Sequence, residues 1–432
     1  MIVVDELLRR RAREGNPIRV GLVGAGAAAR MIAVQLLTPV DGIRLVAVAN
    51  RTLDHAARIY ADEKLTASKV TTPAALDDAI AGGTYAITAE AELLCDARHI
   101  DLIIDATGAV ESGAKLAMRA IQNGKHVVLV NTELDSTLGP ILKVHADKAG
   151  VTITNTDGDE PGVAMNLVRY VRSIGLKPVA TGNLKGMVDV YRTPETQAGF
   201  AAKYSMNPKI VTSFADGTKL SMEATVEANA TGFRVGKRGM YGPRCDHVND
   251  IIKHLPIEPM LSGGLVDYAL GAAPYTGAFV VVHEEHPAKR QGLGYFKMGD
   301  GPLYVFYTPY HLPQIQIAAT IGRAALLNDA TVAPLGAPLC AVATVAKKDL
   351  KAGEALDGVG GFASYGVVEN ADVFDAENLL PIGLSEGGRL KRDIRKDQPI
   401  GYADVELPAG RFCDALYAEQ RRHFSSATRS VG

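Results

Sequence analysis

Two acidic clusters and one lysine are the residues whose types and spacing suggest chemistry. Asn131-Thr132-Glu133-Leu134-Asp135 and Asn155-Thr156-Asp157-Gly158-Asp159-Glu160-Pro161-Gly162 each follow a short aliphatic run, residues 126–130 and 151–154. Ligands in open α/β sheets sit beyond the carboxyl ends of strands, so both clusters are expected to converge on one ligand-facing side. Clustered carboxylates there could bind a divalent cation through oxygen ligands, or one of them could have its pKa raised by its neighbours and act as general acid or base. Helix capping by Asp135, Asp159 or Glu160 is the alternative. Lys185 ends a third run, 179–184, where it could bind a phosphate or carboxylate or protonate a carbonyl oxygen; a solvated lysine is the plainer reading. Arg244 ends the turn-rich stretch 239–244 and could clamp an anion, while His311, in 307–312, is either catalytic or a satisfied structural ring.

The sharpest local pattern is Gly24-Ala25-Gly26-Ala27-Ala28-Ala29, which follows the run 18–23 and opens a helical stretch. It fits GxGxxA: Gly24 makes the tight turn, Gly26 lets backbone approach a pyrophosphate, and Ala29 allows close helix packing. The amides at Ala27 and Ala28 then face the phosphates from a helix N-terminus. The next run ends in Ala49-Asn50-Arg51-Thr52, without the acid that usually holds a ribose 2′-hydroxyl. Arg51 can pair with a 2′-phosphate and Asn50 can hydrogen-bond it, so NADP(H) is favoured over NAD(H), with Asp54 as an NAD-type acid the alternative. Thr107, Gly108 and Asn131 follow later runs and are expected beside the nicotinamide ribose.

The elements that must position these groups can be read from hydrophobic patterning. Six runs (18–23, 45–49, 85–88, 102–104, 126–130 and 151–154) alternate with alanine-rich amphipathic stretches, which predicts a doubly wound parallel sheet of the Rossmann type in residues 1–160. The insertion 54–83 is longer than a plain crossover and predicts a helix or two. A second α+β domain is expected over 161–336, with β-rich segments at 211–224 and 277–282, and a helix near 313–328 could return to the first domain. A small β-rich unit follows at 337–410, where 346–354 reads as strand, polar turn and new strand. Residues 411–422 read as a helix, and the end, 425–432, as frayed.

With 46 Lys and Arg against 48 Asp and Glu, the net charge of −2 is too balanced for nucleic-acid or anionic-membrane binding. Four widely spaced cysteines form no CxxC pair, and no stretch approaches the ~20 apolar residues of a membrane span. A cytoplasmic protein acting on a small molecule, as a homodimer or homotetramer, is expected.

These motifs together resemble the homoserine dehydrogenase-like superfamily. The acidic clusters, Gly242-Pro243-Arg244, Pro309-Tyr310-His311-Leu312 and Ala346-Lys347-Lys348-Asp349 are similar to the 1-deoxy-D-xylulose 5-phosphate reductoisomerase-like (type II) oxidoreductases of isoprenoid biosynthesis, and the terminal unit resembles an SAF domain. The chain departs from homoserine dehydrogenase, which carries a lysine motif after strand five and a glycine-rich turn after strand six. The resemblance implies NADPH on Gly24, Gly26 and Arg51, with Glu133, Asp159 and Glu160 around a metal or substrate hydroxyls. It also implies Lys185 and Arg244 on the anionic end of a hydroxy-carbonyl substrate. A dehydrogenase without rearrangement and a non-catalytic dinucleotide sensor are the other readings.

If Arg51 reads the 2′-phosphate, Arg51→Ala weakens NADPH binding at least tenfold more than NADH binding in fluorescence titrations. A wild type that binds NADH more tightly than NADPH removes this assignment.

Overall fold

The computed structural model describes residues 4–38 and 40–429. Residues 430–432, part of the tail expected to fray, lie outside this description, whereas the backbone from Ser425 to Arg429 continues the helix Phe412–Arg429. The chain divides into two compact units. One runs up to Gly158 and adds Leu312–Ala333 and the segment from Gly410 on; the other is Asp159–His311 with Pro334–Ala409.

In the first unit, the aliphatic runs pair as β1 (Ile18–Val23), β2 (Ile43–Ala49), β3 (Ala67–Lys69), β4 (Tyr85–Thr88), β5 (Leu102–Asp105), β6 (His126–Leu129) and β7 (Ile153–Asn155). All pairings are parallel, in the order β3-β4-β2-β1-β5-β6-β7. The near-continuous burial of β1, β2 and β5 is what a sheet covered on both faces requires. β3 is the strand that patterning did not reveal. Its three residues, Ala-Ser-Lys, carry one weak apolar side chain and lie at the sheet edge between two helices, Leu53–Asp62 and Pro73–Ala81.

The helix Ile317–Leu327 belongs to this unit and places Ile317, Ile321 and Ala324 in its core. Its buried Arg323 bonds Asp157 at 2.8 Å, and Thr331 donates to the same carboxylate, so Asp157 of the second acidic cluster anchors the returning segment. Asp135 of the first cluster accepts from Asn155 at 3.3 Å.

The helix Thr132–Ala149 contains Pro140, which cannot donate a backbone bond. Gln420 on Phe412–Arg429 repairs the neighbouring gap. Its amide accepts from the Ile141 amide at 3.1 Å and donates to the Thr137 carbonyl at 3.2 Å.

In the second unit, β8 (Lys177–Lys185), β9 (Leu265–Leu270), β10 (Ala278–His283) and β11 (Leu303–Thr308) form a sheet of order β11-β10-β8-β9. β8 and β9 are parallel and the other pairs antiparallel. The helices Glu160–Ser173 and Thr218–Thr231 cover one face. Residues 211–224, expected to be β-rich, are helical: Pro208–Ala215 and then Thr218–Thr231, separated by Gly217 at φ +81°. Every residue of Thr218–Thr231 is buried, so this helix presents no solvent-facing side.

β12 (Cys340–Ala346) and β13 (Ser364–Asn370) pair antiparallel, as do the two-residue strands β14 (Arg389–Leu390) and β15 (Val405–Glu406). The new strand expected by residue 354 is absent. Leu350 and Ala355 make isolated bridges to Ile394 and Arg389, and the partner of β12 comes from 364–370 instead. No helix among the described residues is long and apolar enough to cross a membrane.

Replacing Gln420, 4 % exposed, by Leu leaves a buried donor and acceptor unpaired. Gln420→Leu is expected to lower unfolding free energy by about 2 to 4 kcal/mol, read as a lower urea midpoint at unchanged slope. A change below about 0.5 kcal/mol shows that the plug is not needed.

Candidate active site

In the nucleotide unit the turn after β1 is built as GxGxxA requires. Gly24 has φ +113°, and a Cβ there would stand 2.8 Å from the Ala106 carbonyl oxygen, so only glycine fits between the ends of β1 and β5. A Cβ on Gly26 would meet nothing within 4 Å. Gly26 caps the helix Ala27–Leu37 without a side-chain bond, and that first turn holds no acid, which leaves the amides near Ala27 and Ala28 suited to phosphate. Ala29 is fully buried, consistent with close helix packing. These residues fit a dinucleotide.

At the end of β2 the Asn50 amide donates to the Thr52 carbonyl at 2.8 Å, while Arg51 is exposed. Gly108 has φ +66° with open space around it. Thr107 and Asn131 have structural duties. Both donate to the buried Asp105, at 2.7 and 2.9 Å, and the Asn131 carbonyl oxygen accepts from the Leu134 amide to cap Thr132–Ala149. Burial pushes the Asp105 carboxyl up, against the pull of Thr107 and Asn131. Glu133, buried in the first turn of that helix, belongs to this unit.

In the second unit, Lys185 is the last residue of β8. Its Nζ lies 2.7 Å from Glu160 Oε1 and 3.0 Å from Glu223 Oε2. Glu160 opens the helix Glu160–Ser173, directly after Asp159, whose side chain makes no capping bond. Oxygens of Asp159, Glu160 and Glu223 all come within 4.8 Å of one another. His311 joins them: its Nε2 is 3.5 Å from Glu160 Oε1, and its Nδ1 is 2.9 Å from Thr276 Oγ1. The adjacent pair Asp159 and Glu160 therefore meets Lys185 and His311. Glu133 is not in this carboxylate group, and Glu223 takes the third place.

Arg244 lies two rungs from Lys185. Both residues pair with Leu270, one through the β8–β9 ladder and the other through a bridge, which sets their Cα atoms about 10 Å apart at ~4.8 Å per rung. The loop before Arg244 is held by Asp267, which accepts from the Tyr241 and Gly242 amides at 2.9 and 2.8 Å. The Arg244 side chain is exposed.

Burial disfavours every charge in the cluster, and neighbours decide which charges survive. Burial lifts Glu160, but Lys185 and then His311 more than offset it and leave its carboxyl below the ordinary range. Lys185 is lowered by burial and raised more strongly by Glu160 and Glu223, so it stays an ammonium. Glu223 is pushed up to about 8, by burial first and the Glu160 charge second. Burial also lifts Asp159, against the pull of Lys219. Glu227, one turn beyond Glu223, is driven well above its usual value by burial and the Glu223 charge, and neither of its carboxyl oxygens has a hydrogen-bond partner.

Glu223, Glu227, Lys219 and Asn183, whose amide donates to Glu223 at 3.0 Å, were not singled out from sequence. The spacing Lys219-x3-Glu223-x3-Glu227 is the signal that could have found them, because it stacks three charges on one helix face.

Residues 21–155 match the homoserine dehydrogenase NAD-binding domain, 158–317 the catalytic domain of oxidoreductase DRL, and 342–406 the SAF domain. The chain therefore joins a homoserine dehydrogenase-type NAD-binding domain, a DRL-type catalytic domain and an SAF domain. It is an NAD(P)-dependent oxidoreductase. No curated protein matches it. Among solved structures it is similar to a homoserine dehydrogenase from Thiobacillus denitrificans, with 14% identity over 89% of this chain and 98% of that one, at a TM-score of 0.43. A biliverdin reductase from Synechocystis, in complex with biliverdin and NADP⁺, is 15% identical over 73% and 92% of the two chains, at 0.37. The scyllo-inositol dehydrogenase of Lactobacillus casei is 13% identical over 73% and 89%, at 0.38.

Because the folded protein holds the Glu227 proton well above the usual carboxyl range, unfolding releases it once pH exceeds about 4.5. Wild-type stability therefore carries a penalty that grows as pH rises above the unfolded carboxyl value. Glu227→Gln removes it, so the variant gains on wild type by up to about 1.4 kcal/mol per pH unit. Thermal melts at several pH values read this, and parallel curves contradict a protonated Glu227.

Proposed function

We propose that this protein uses NADPH to reduce a small, anionic hydroxy-carbonyl compound of the sugar-phosphate type, with Lys185 as the proton donor. The observation that carries the reading is the Lys185 ammonium, held by Glu160 and Glu223 and still 18 % exposed, at the open end of β8. Such an ammonium donates a hydrogen bond to a carbonyl oxygen and stabilises the negative charge that develops there during reduction. Bound NADPH supplies the hydride. Lys185 gives the proton to the oxygen, and Glu223, which keeps its own proton up to about pH 8, restores it to the lysine. Glu160 remains ionised and fixes the ammonium, and His311, oriented by Thr276, borders the same carboxylate. Arg244 offers a planar fork to the substrate's phosphate or carboxylate. NADP over NAD rests on Arg51, and a cytoplasmic homodimer or homotetramer belongs to the same reading.

One observation favours a second reading, the skeletal rearrangement of the reductoisomerase-like enzymes. Asp159, Glu160 and Glu223 offer three carboxylate oxygens within 4.8 Å, a donor set suited to Mg²⁺ or Mn²⁺. Such an ion would polarise adjacent carbonyl and hydroxyl oxygens. Two of the three carboxylates already accept from Lys185, so simple reduction is the reading the geometry supports better.

NADPH oxidation with 1-deoxy-D-xylulose 5-phosphate, and the reverse assay with L-homoserine and NADP⁺, test both. Lys185→Met is expected to lower kcat at least ~100-fold with NADPH affinity unchanged. The kcat for reduction should fall as pH rises through about 8, and Glu223→Gln should abolish that limb. Arg244→Ala should raise KM for the phosphorylated probe tenfold or more. Turnover retained in Lys185→Met sinks the proposal, and loss of turnover with EDTA, restored by Mn²⁺, moves the assignment to the second reading.

A further inference from the structure

The helix Thr218–Thr231 carries Lys219, Glu223 and Glu227, and much of what holds it comes from the SAF segment. At its start, the Lys347 ammonium is buried with Asp216 at 2.9 Å and also donates to the Arg192 and Gly361 carbonyls at 2.7 and 2.8 Å. Asp216 in turn accepts from the Thr218 amide at 2.9 Å, and the Thr218 hydroxyl accepts from the Gly366 amide on β13 at 2.8 Å. A Cβ on Gly366 would stand 2.8 Å from Val342 and 2.9 Å from Thr218, so β13 approaches the helix as only glycine permits. Gly360 does the same one helix earlier, where a Cβ would lie 1.9 Å from the Lys209 carbonyl oxygen. At the far end, Asn229 accepts from the Leu339 and Cys340 amides at 2.7 and 3.2 Å. Between these clamps Met222 packs against Val342 and Ile382, and Leu220, Ala224 and Ala228 share a core with Cys340 and Val368.

We propose that the SAF module is the back wall of the reaction site, and that Lys347 and the Gly366 amide are positioning groups which fix Asp216 and Thr218 so that Glu223 stands against Lys185. The inference rests on the reading of Lys185 and Glu223 given above and supplies the module's part in it. The tolerance is narrow. Glu223 touches Lys185 and Asn183 at 3.0 Å each, and it lies between one and two helical turns from Thr218, which the module grips. A shift of about 1 Å at Thr218 is enough to break such contacts.

The test uses the full chain carrying ¹³C-carboxyl glutamate, with the Glu223 resonance assigned by its loss in Glu223→Gln. In wild type this carboxyl is expected to titrate near 8, because burial and then the Glu160 charge push it up. Thr218→Val, which keeps volume and removes the acceptor, and Lys347→Met are each expected to lower the midpoint by at least one pH unit as water reaches the loosened helix. Both should also speed amide exchange across 218–231 tenfold or more, while NADPH affinity stays within twofold of wild type. Ile394→Val, which thins the module's own core away from the helix, is the control: it lowers Tm and leaves the midpoint unchanged. If Lys347→Met does not fold, Thr218→Val decides alone. A midpoint that moves equally in Ile394→Val and Thr218→Val, or in neither, overturns the positioning role. Failure of the catalytic reading shows separately, as Lys185→Met retaining turnover while the Glu223 midpoint still responds to Thr218→Val.

Discussion

The arrangement of the second unit depends on keeping one ammonium group charged where water is scarce. A buried ion loses its hydration, and the loss is recovered only by partners in good geometry. Lys185 recovers it from Glu160 and Glu223, which come from two different helices and meet at the end of one strand. Four carboxyl groups, at Asp159, Glu160, Glu223 and Glu227, face the two lysines Lys185 and Lys219. The excess acid has to be neutralised by protons. Asp159, Glu223 and Glu227 accordingly shift up, and Glu160, with Lys185 and His311 beside it, shifts down. Groups whose proton affinities are pushed apart in one cluster are what acid–base chemistry near neutral pH needs.

That constraint explains features that would otherwise be costly. A helix buried on every side must place its polar residues against partners, and Thr218–Thr231 does so on two fronts, toward Lys185 and Asn183 on β8 and toward the SAF backbone at Thr218 and Asn229. Lys347 repeats the solution used for Lys185, with one carboxylate and two carbonyl oxygens in place of two carboxylates. Glycine permits close packing at Gly366 and Gly360 in this unit, and at Gly24 in the nucleotide unit, where the end of β1 approaches the Ala106 carbonyl after β5.

Much of the nucleotide unit was legible in the sequence because parallel strands buried on both faces write themselves as unbroken aliphatic runs, and because GxGxxA has one economical structural use. β3 was not legible, since an edge strand of Ala-Ser-Lys has little to bury. Residues 211–224, which are helical, were misread as β-rich because Val211, Thr212 and Thr218 are β-branched. Tertiary contacts overrode the local preference. That error concealed Glu223 and Glu227. Asp159, Glu160, Lys185 and His311 were each singled out from local patterns alone. Their convergence depends on β8 ending where the helix Glu160–Ser173 begins, which is long-range information that no local window holds.

Lysine and a divalent cation are rival answers to the same accumulation of negative charge. The carboxylates of Glu160 and Glu223 have a limited set of lone pairs aimed inward, and the Lys185 ammonium already uses one from each. An ion seated among Asp159, Glu160 and Glu223 would face that ammonium at close range, and like charges at a few ångströms in a poorly hydrated site repel strongly. A metal-dependent reaction in this protein therefore requires Lys185 to swing away or to give up its proton. A reaction without metal requires neither, and it uses the lysine in the protonation state that Glu160 and Glu223 already impose.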